Sequence, residues 1–438
     1  MNIGSALTNC TVIHGSAEVP PAPNMTIGID EEGRIAALGP TEQTALPAGC
    51  QVTDLSGKYV MPGLINAHVH LFSDGKPIGL SLGESALNVG IKVLGTPLGK
   101  RILLKRMKKN AETALMSGVT TMRSVGEFFY QDVKLRDLAA KGRAIAPRLL
   151  VSGYFLSVTG GHGAPYLALE GDSPWEGRRN VRRNVRAGVD WIKICTTGGV
   201  TDARALGEAG RLQMTEEEVA AICEEAHKIG LMVAAHAESP EGVSVALRGG
   251  VDTIEHGAEM DEETIALFKH NPKSLRGYSS LIPTLQAGYP VALADRSLTN
   301  VSDTVFGNGQ MIYRHMLTAF RQAIEHGLSI GIGTDAAMSY VTHYNLWREL
   351  DHMIRFAGIG EAKAIDLATR SNAEILGLGR ELGTIELGKK ADLLVLEQNP
   401  LEQIRALANP YQVLLNGKSV DLRPVRKFAE VDELLDRL

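Results

Sequence analysis

Short apolar runs of strand length recur along the chain, and several close on a polar residue able to bind a metal. Residues 59–67 are largely apolar and lead into His68-Val69-His70. Residues 232–235 lead into His236, residues 251–255 into His256, and residues 329–334 into Asp335. Residues 191–195 carry Lys193 on the face opposite Ile192 and Ile194, because strand side chains alternate. Helical spacing intervenes: Thr215 opens a helix as N-cap with Glu216, Glu217 and Glu218 in its first turn. Val219, Ile222, Ala226 and Ile229 follow at roughly helical intervals, and Gly230 fits the C-cap role.

The two ends of the chain read differently from the middle. Residues 10–13, 25–29 and 34–38 are strand-like, separated by Pro20-Pro21 and by the turn signal at 30–33. The same style returns at 383–396 and 413–418. We expect residues 1–60 and 380–438 to pair into a small β-sandwich domain. Strand ends at 70, 125, 152, 195, 236, 256, 284 and 335 mark eight alternating units over residues 61–379. An α/β fold follows: a (β/α)8 TIM barrel, whose catalytic groups lie at strand C-termini. Every candidate ligand here falls at such an end, Lys193 excepted, which lies within its strand. Two long connections break the rhythm, 72–110 (with Gly79, Gly83, Gly90, Gly95 and Gly99) and 153–175. Long connections at this rim shape substrate pockets.

The chain has 438 residues, 44% hydrophobic and 22% charged, enough for one large domain and a small accessory one. A net charge of -5 argues against a nucleic-acid partner. Cys10, Cys50, Cys195 and Cys223 show no C-x-x-C spacing, so free thiols in a reducing cytoplasm are expected. The first residues lack the basic and apolar regions of a signal peptide, and no apolar run of about 18 residues or more suggests a membrane span. The basic stretches 100–109 and 178–183 read as solvated helix faces rather than membrane surfaces.

In His68-Val69-His70 both imidazoles project from one strand face, an arrangement suited to one cation. Singly, each residue has a plainer reading. His256 can be a satisfied core histidine, Asp335 a helix N-cap, Lys193 a snorkelling surface group. Together, an H-x-H, a lysine, two histidines and an aspartate form a nitrogen–oxygen donor set that suits zinc, with manganese or iron as alternatives.

The segments 62–70, 118–121, 160–163, 254–257, 333–335 and 388–393 together resemble the amidohydrolase superfamily over nearly the whole chain. The likeness is to the branch of imidazolonepropionase-related enzymes, prolidase-like dipeptidases and ochratoxin-hydrolysing amidases. It implies that His68, His70 and Asp335 bind one divalent ion, and that His236 and His256 bind a second. A carboxylated Lys193 would bridge ions about 3.5–4 Å apart that share a hydroxide. The resemblance makes Asp335 the proton carrier between the attacking oxygen and the leaving nitrogen, and His162 an extra electrophile. Glu238 departs from both related patterns. It comes one residue early for the glutamate of the deaminase and mononuclear branches, and stands where the prolidase-like branch commonly has a tyrosine. Arg123, Tyr154, Glu238, His343 and Tyr344 are expected to line the substrate pocket, although Arg123 can equally be an interior ion pair.

The sequence thus leads to a cytoplasmic, homo-oligomeric binuclear zinc amidohydrolase acting on a dipeptide or small N-acyl amino acid. The alternatives are a hydrolase of a cyclic amide, carbamate or lactone with the same centre, or a non-catalytic metal-binding relative.

Overall fold

The computed structural model describes residues 3–77, 84–299 and 301–438. Its contacts separate two compact units. One comprises residues 1–66, 112–122 and 344–426; the other comprises 67–111, 123–343 and 427–438.

The first unit holds an eight-stranded sheet that joins the two chain ends. Its order runs Lys418–Ser419, Gln412–Leu415, Leu393–Leu396, Tyr59–Pro62, Ile3–Val12, Ala22–Asp30, Ile35–Pro40, with Gln51–Asp54 paired to Ile3–Val12. The expected sandwich takes the form of one branched sheet. Residues Ser5 to Thr8 pair with Gln51–Asp54, while Thr11 and Val12 pair with Tyr59 and Val60. A register shift between Leu7 and Cys10, with Asn9 at φ 59°, splits the strand's partners. Leu7, Cys10, Val12, Ile27, Ile29, Leu393 and Val395 are among the side chains that form its core.

The same unit buries His352 on the helix Leu346–Ala357, with its ring 4.4 Å from that of Phe356. Burial, aided by Arg355, pushes this imidazole down to about 3. A histidine depressed below its ordinary 6.5 contributes stability that is complete above pH 6.5 and lost as pH falls towards 3. At pH 5 the loss is about 2 kcal/mol. The fall in unfolding free energy between pH 7.5 and pH 5, measured in urea, should therefore be about 2 kcal/mol smaller in His352→Gln than in the unaltered protein. An identical fall in both would show that this ring does not carry the acid sensitivity.

The second unit is built on parallel strands alternating with helices. A seven-stranded sheet runs Ala168–Glu170, Phe155–Ser157, Ile192–Cys195, Val233–Ala237, Thr253–His256, Ser280–Ile282, Ser329–Ile330, with every pairing parallel. A separate three-stranded sheet, not confined to the residues of this unit, follows the order Leu64–Val69, Val119–Ser124, Arg148–Val151. Backbone bonds extend past both sheets. Trp191 N–H donates to Val151 O (3.2 Å), Ala67 N–H to Ile332 O (2.9 Å), and Asp335 N–H to His68 O (2.9 Å). The helix Glu216–His227 starts with a full capping box between Thr215 and Glu218, as the sequence indicates.

Both long connections contain regular structure. Segment 72–110 contributes the helix Glu84–Gly95 and most of Pro97–Met116; Gly79 and Gly83 lie outside the described residues. Segment 153–175 adds two strands that continue the sheet. Phe155 and Ala168 form a small apolar cluster with Cys195, which gives these short runs a surface to bury against. No described helix is long and apolar enough to cross a membrane.

Candidate metal centre

The strand Leu64–Val69 ends by projecting His68 and His70 to one side, and each ring is held by its Nδ1. His68 Nδ1–H donates to Glu255 Oε2 (2.6 Å), and His70 Nδ1–H to Gly126 O (2.8 Å). Both Nε2 atoms then face one oxygen, Asp335 Oδ1, at 3.4 and 3.2 Å respectively. Burial opposes ionisation of Asp335, but the adjacent His68 and His70 rings outweigh it and hold the carboxyl well below the usual range. The approach is close enough that Gly333 has no room for a side chain: a Cβ there would lie 2.4 Å from His68 Cβ.

Beneath the rings lies a buried ion pair. Arg123, 0% exposed, donates from Nη2 to both oxygens of Glu255 (2.8 and 2.9 Å), from Nε to Ala67 O (2.6 Å) and from Nη1 to Thr253 Oγ1 (3.1 Å). Its guanidinium also lies 4.4 Å from the Trp191 ring. Burial would raise the Glu255 carboxyl, but Arg123, followed by His68, pulls it far below its ordinary value. Glu255 is thus an ionised anchor for His68. The expected pocket role of Arg123 is corrected by this geometry. Its guanidinium is taken up by the buried pair with Glu255, as the ion-pair alternative has it.

Glu255 and His256 are adjacent in one strand, where side chains should point apart. The backbone of His256 is left-handed (φ 71°), which breaks the alternation and lets both serve the same site. His256 Nδ1 is paired with Thr284 Oγ1 (2.7 Å), itself on a left-handed residue (φ 46°). Asp335 is a third such residue (φ 59°). Strained backbone of this kind persists where surrounding structure enforces it, and it gathers at functional sites.

The strands ending at Cys195 and Ala237 supply the rest. His236 lies with its ring centroid 4.6 Å from that of His256, and the His256 ring is 5.1 Å from that of His68. Burial pushes His236 and His256 well below the ordinary histidine value, and it also lowers His70. Burial thus favours at His236 and His256 the neutral imidazole, the form in which a histidine can bind a metal. Lys193 is 3% exposed and has no hydrogen bond or ion pair among the described residues; burial pushes its ammonium down. Glu238 is also buried, and burial, with Asp335 and Asp202 alongside, raises its carboxyl well above the usual range. His162 stacks on His236 (4.2 Å, 9° between planes) and on Phe155 (6.1 Å, 9°). Its Nδ1 is paired with the carboxylate of Asp202.

The other pocket candidates have partners of their own. Tyr154 packs edge-on against Tyr130 (5.0 Å), and its hydroxyl accepts from Phe129 N–H (3.1 Å). His343 donates from Nε2 to Ser73 O (2.9 Å), with burial pushing it down to about 4. Tyr344 is buried and belongs to the first unit. Sequence reasoning missed Glu255, Thr284 and Asp202 as supports. Only Glu255 left a trace, as an acid inside an otherwise apolar strand beside His256.

The donors fit divalent metal ions. His68, His256 and Asp335 offer atoms mutually within 4.8 Å, and so do His236, Glu238 and His256. Imidazole nitrogens with their far nitrogens already engaged, together with carboxylate oxygens, form a zinc-type set with its supporting shell in place.

A sequence model of the Amidohydrolase family matches residues 59–420. A crystal structure from Bifidobacterium longum, described as that of a candidate prolidase, is 43% identical, covers 99% of each chain and superposes with a TM-score of 0.88. A Xaa-Pro dipeptidase with methionine bound in its active site is 28% identical over 95% of this chain and 99% of its own, with a TM-score of 0.80. Ochratoxinase from Aspergillus niger is 27% identical over 81% of this chain and 73% of its own.

Proposed function

This chain belongs to the amidohydrolase family, and on that premise we propose that it hydrolyses the amide bond of a dipeptide or small N-acyl amino acid at a centre of two zinc ions. The observation that carries the reading is the convergence of His68 and His70 Nε2 on Asp335 Oδ1, with His236, His256 and the buried Lys193 alongside. The likeness to a Xaa-Pro dipeptidase with an amino acid in its active site supports a substrate built from amino acids. The bonds from Trp191 to Val151 and from Ala67 to Ile332 support closure of the parallel strands into an eight-unit barrel. In this reading residues 61–379 form the hydrolase barrel, and residues 1–60 with 380–438 the small β-domain. Free cysteines accord with a cytoplasmic protein.

His68, His70 and Asp335 would hold one ion, and His236 and His256 the other, with carboxylated Lys193 between them. Carboxylation turns a buried amine into an anionic oxygen ligand, which removes the cost of an unpaired ammonium. When bound, the ions supply Lewis acidity towards a carbonyl and lower the pKa of water. The protein does the remainder. Asp335 takes the proton of the attacking water on its carboxylate and returns it to the leaving nitrogen. Asp202 fixes the His162 ring through Nδ1, and a doubly protonated ring would present Nε2–H as donor to the substrate carbonyl oxygen. Phe155, its ring parallel to that of His162 at 6.1 Å, adds apolar surface that limits water at this wall.

Lys193→Ala tests the reading. Turnover should be lost with the fold retained by circular dichroism, and metal affinity should fall by about tenfold to a hundredfold. Unchanged metal content and turnover would remove Lys193 from the centre. A variant and a parent that both lack turnover would favour a non-catalytic metal-binding protein.

A further inference from the structure

We propose that Glu238 is itself a metal ligand, joining His236 and His256 at the second ion rather than contacting substrate. The inference rests on the metal-centre reading above and adds a residue to it. His236 and Glu238 stand two apart at the end of the strand Val233–Ala237. Side chains two apart share a strand face, so H-x-E here repeats the geometry of His68-Val69-His70. The donor atoms of His236, Glu238 and His256 lie within 4.8 Å of one another, and Glu238 Oε2 is 4.0 Å from His236 Nε2. Ligands each about 2.0–2.2 Å from one ion stand at most about 4.4 Å apart. The His236–Glu238 pair falls within that limit, and His236 Nε2 would exchange its 3.3 Å contact with Gly198 O for the ion.

The carboxylate accepts one hydrogen bond, from Val200 N–H, and has its other oxygen to spare. Glu238 is 7% exposed, and its buried Oε2 has no hydrogen-bond partner among the described residues. A buried carboxylate oxygen without a donor is costly, and a cation at this point satisfies it. The backbone is set in advance. Glu238 N–H donates to Thr197 Oγ1 (3.1 Å), and its carbonyl packs so closely on Gly210 (φ 81°) that a Cβ there would lie 2.8 Å from Glu238 O. These contacts hold the backbone of Glu238 just past the end of the strand Val233–Ala237. A ligand set of two histidines and a carboxylate is harder than imidazole alone, so this end should accept manganese, iron or cobalt as well as zinc.

Titration of the metal-free protein with Zn2+ against a chromogenic chelator tests the assignment without recourse to activity. The unaltered protein should bind two ions. Glu238→Gln, which keeps the volume, should retain the first and weaken the second about tenfold or more. Glu238→Asp, which keeps the charge on a shorter stem, should fall between the two. With Co2+, the visible absorption of the second ion should change in Glu238→Gln. Two ions bound with unaltered affinity in Glu238→Gln, together with a raised KM for substrates bearing a free amine, would overturn the assignment and make Glu238 a substrate contact. Absence of metal binding by the unaltered protein would instead overturn the metal-centre reading on which it rests.

Discussion

Asp335→Asn should lower kcat by about 10³-fold or more while leaving the fold intact, because proton transfer by a positioned carboxylate is worth about 10²–10⁴ and the ligand charge is lost as well. Asparagine is the substitution that isolates this effect. It tolerates the left-handed backbone of residue 335 (φ 59°) and keeps the N–H that donates to His68 O. It also keeps one oxygen opposite His68 and His70 Nε2, so the cluster loses charge and proton capacity but little shape. Burial disfavours an ionised carboxyl at this position, and the two rings reverse that preference, so Asp335 is poised as an ionised acceptor. Steady-state kinetics at saturating metal are the check. Retention of a tenth or more of kcat would mean that another group carries the proton.

Arg123→Met should destabilise the protein by about 3–5 kcal/mol, the cost of leaving one member of a buried ion pair without its partner. Glu255 is fully buried, and among the described residues its hydrogen bonds once the guanidinium is gone are those with His68 Nδ1 and Thr253 Oγ1. Pairing Arg123→Met with Glu255→Gln removes both charges and should recover most of the loss, since apolar replacement of a whole buried pair is often neutral. Metal affinity should not recover in that double variant, because the His68 ring then lacks its charged anchor. Urea unfolding of the single and double variants gives the coupling directly. A single variant that loses under 1 kcal/mol would show that Glu255 finds another cation.

The candidate ligands are legible in the sequence because one rule places them. Strand alternation makes His68 and His70 neighbours, and the ends of successive parallel strands gather at one rim, so His236, His256 and Asp335 could be grouped without coordinates. The supports obey no such rule. The Arg123–Glu255 pair joins strands 132 residues apart, and Asp202 reaches His162 from a loop 40 residues on. Glu255 was further hidden by its adjacency to His256: alternation puts the two on opposite faces, and only the left-handed backbone at His256 reverses that. Arg123 was assigned to the pocket for a related reason. A cation at a strand end signals either substrate or partner, and only the partner's position decides. The strands Phe155–Ser157 and Ala168–Glu170 were missed because runs of three residues among turn signals carry no detectable period.

The central claim is metal-dependent cleavage of an amide. Turnover by zinc-loaded protein across dipeptides and N-acyl amino acids, beside a chelator-stripped control, tests it most directly. The expected result is amino-acid release that disappears on chelation and returns with zinc, with a side-chain preference that identifies the pocket. Release that survives complete metal removal would contradict the account, and so would hydrolysis confined to cyclic amides, carbamates or lactones with every linear amide untouched.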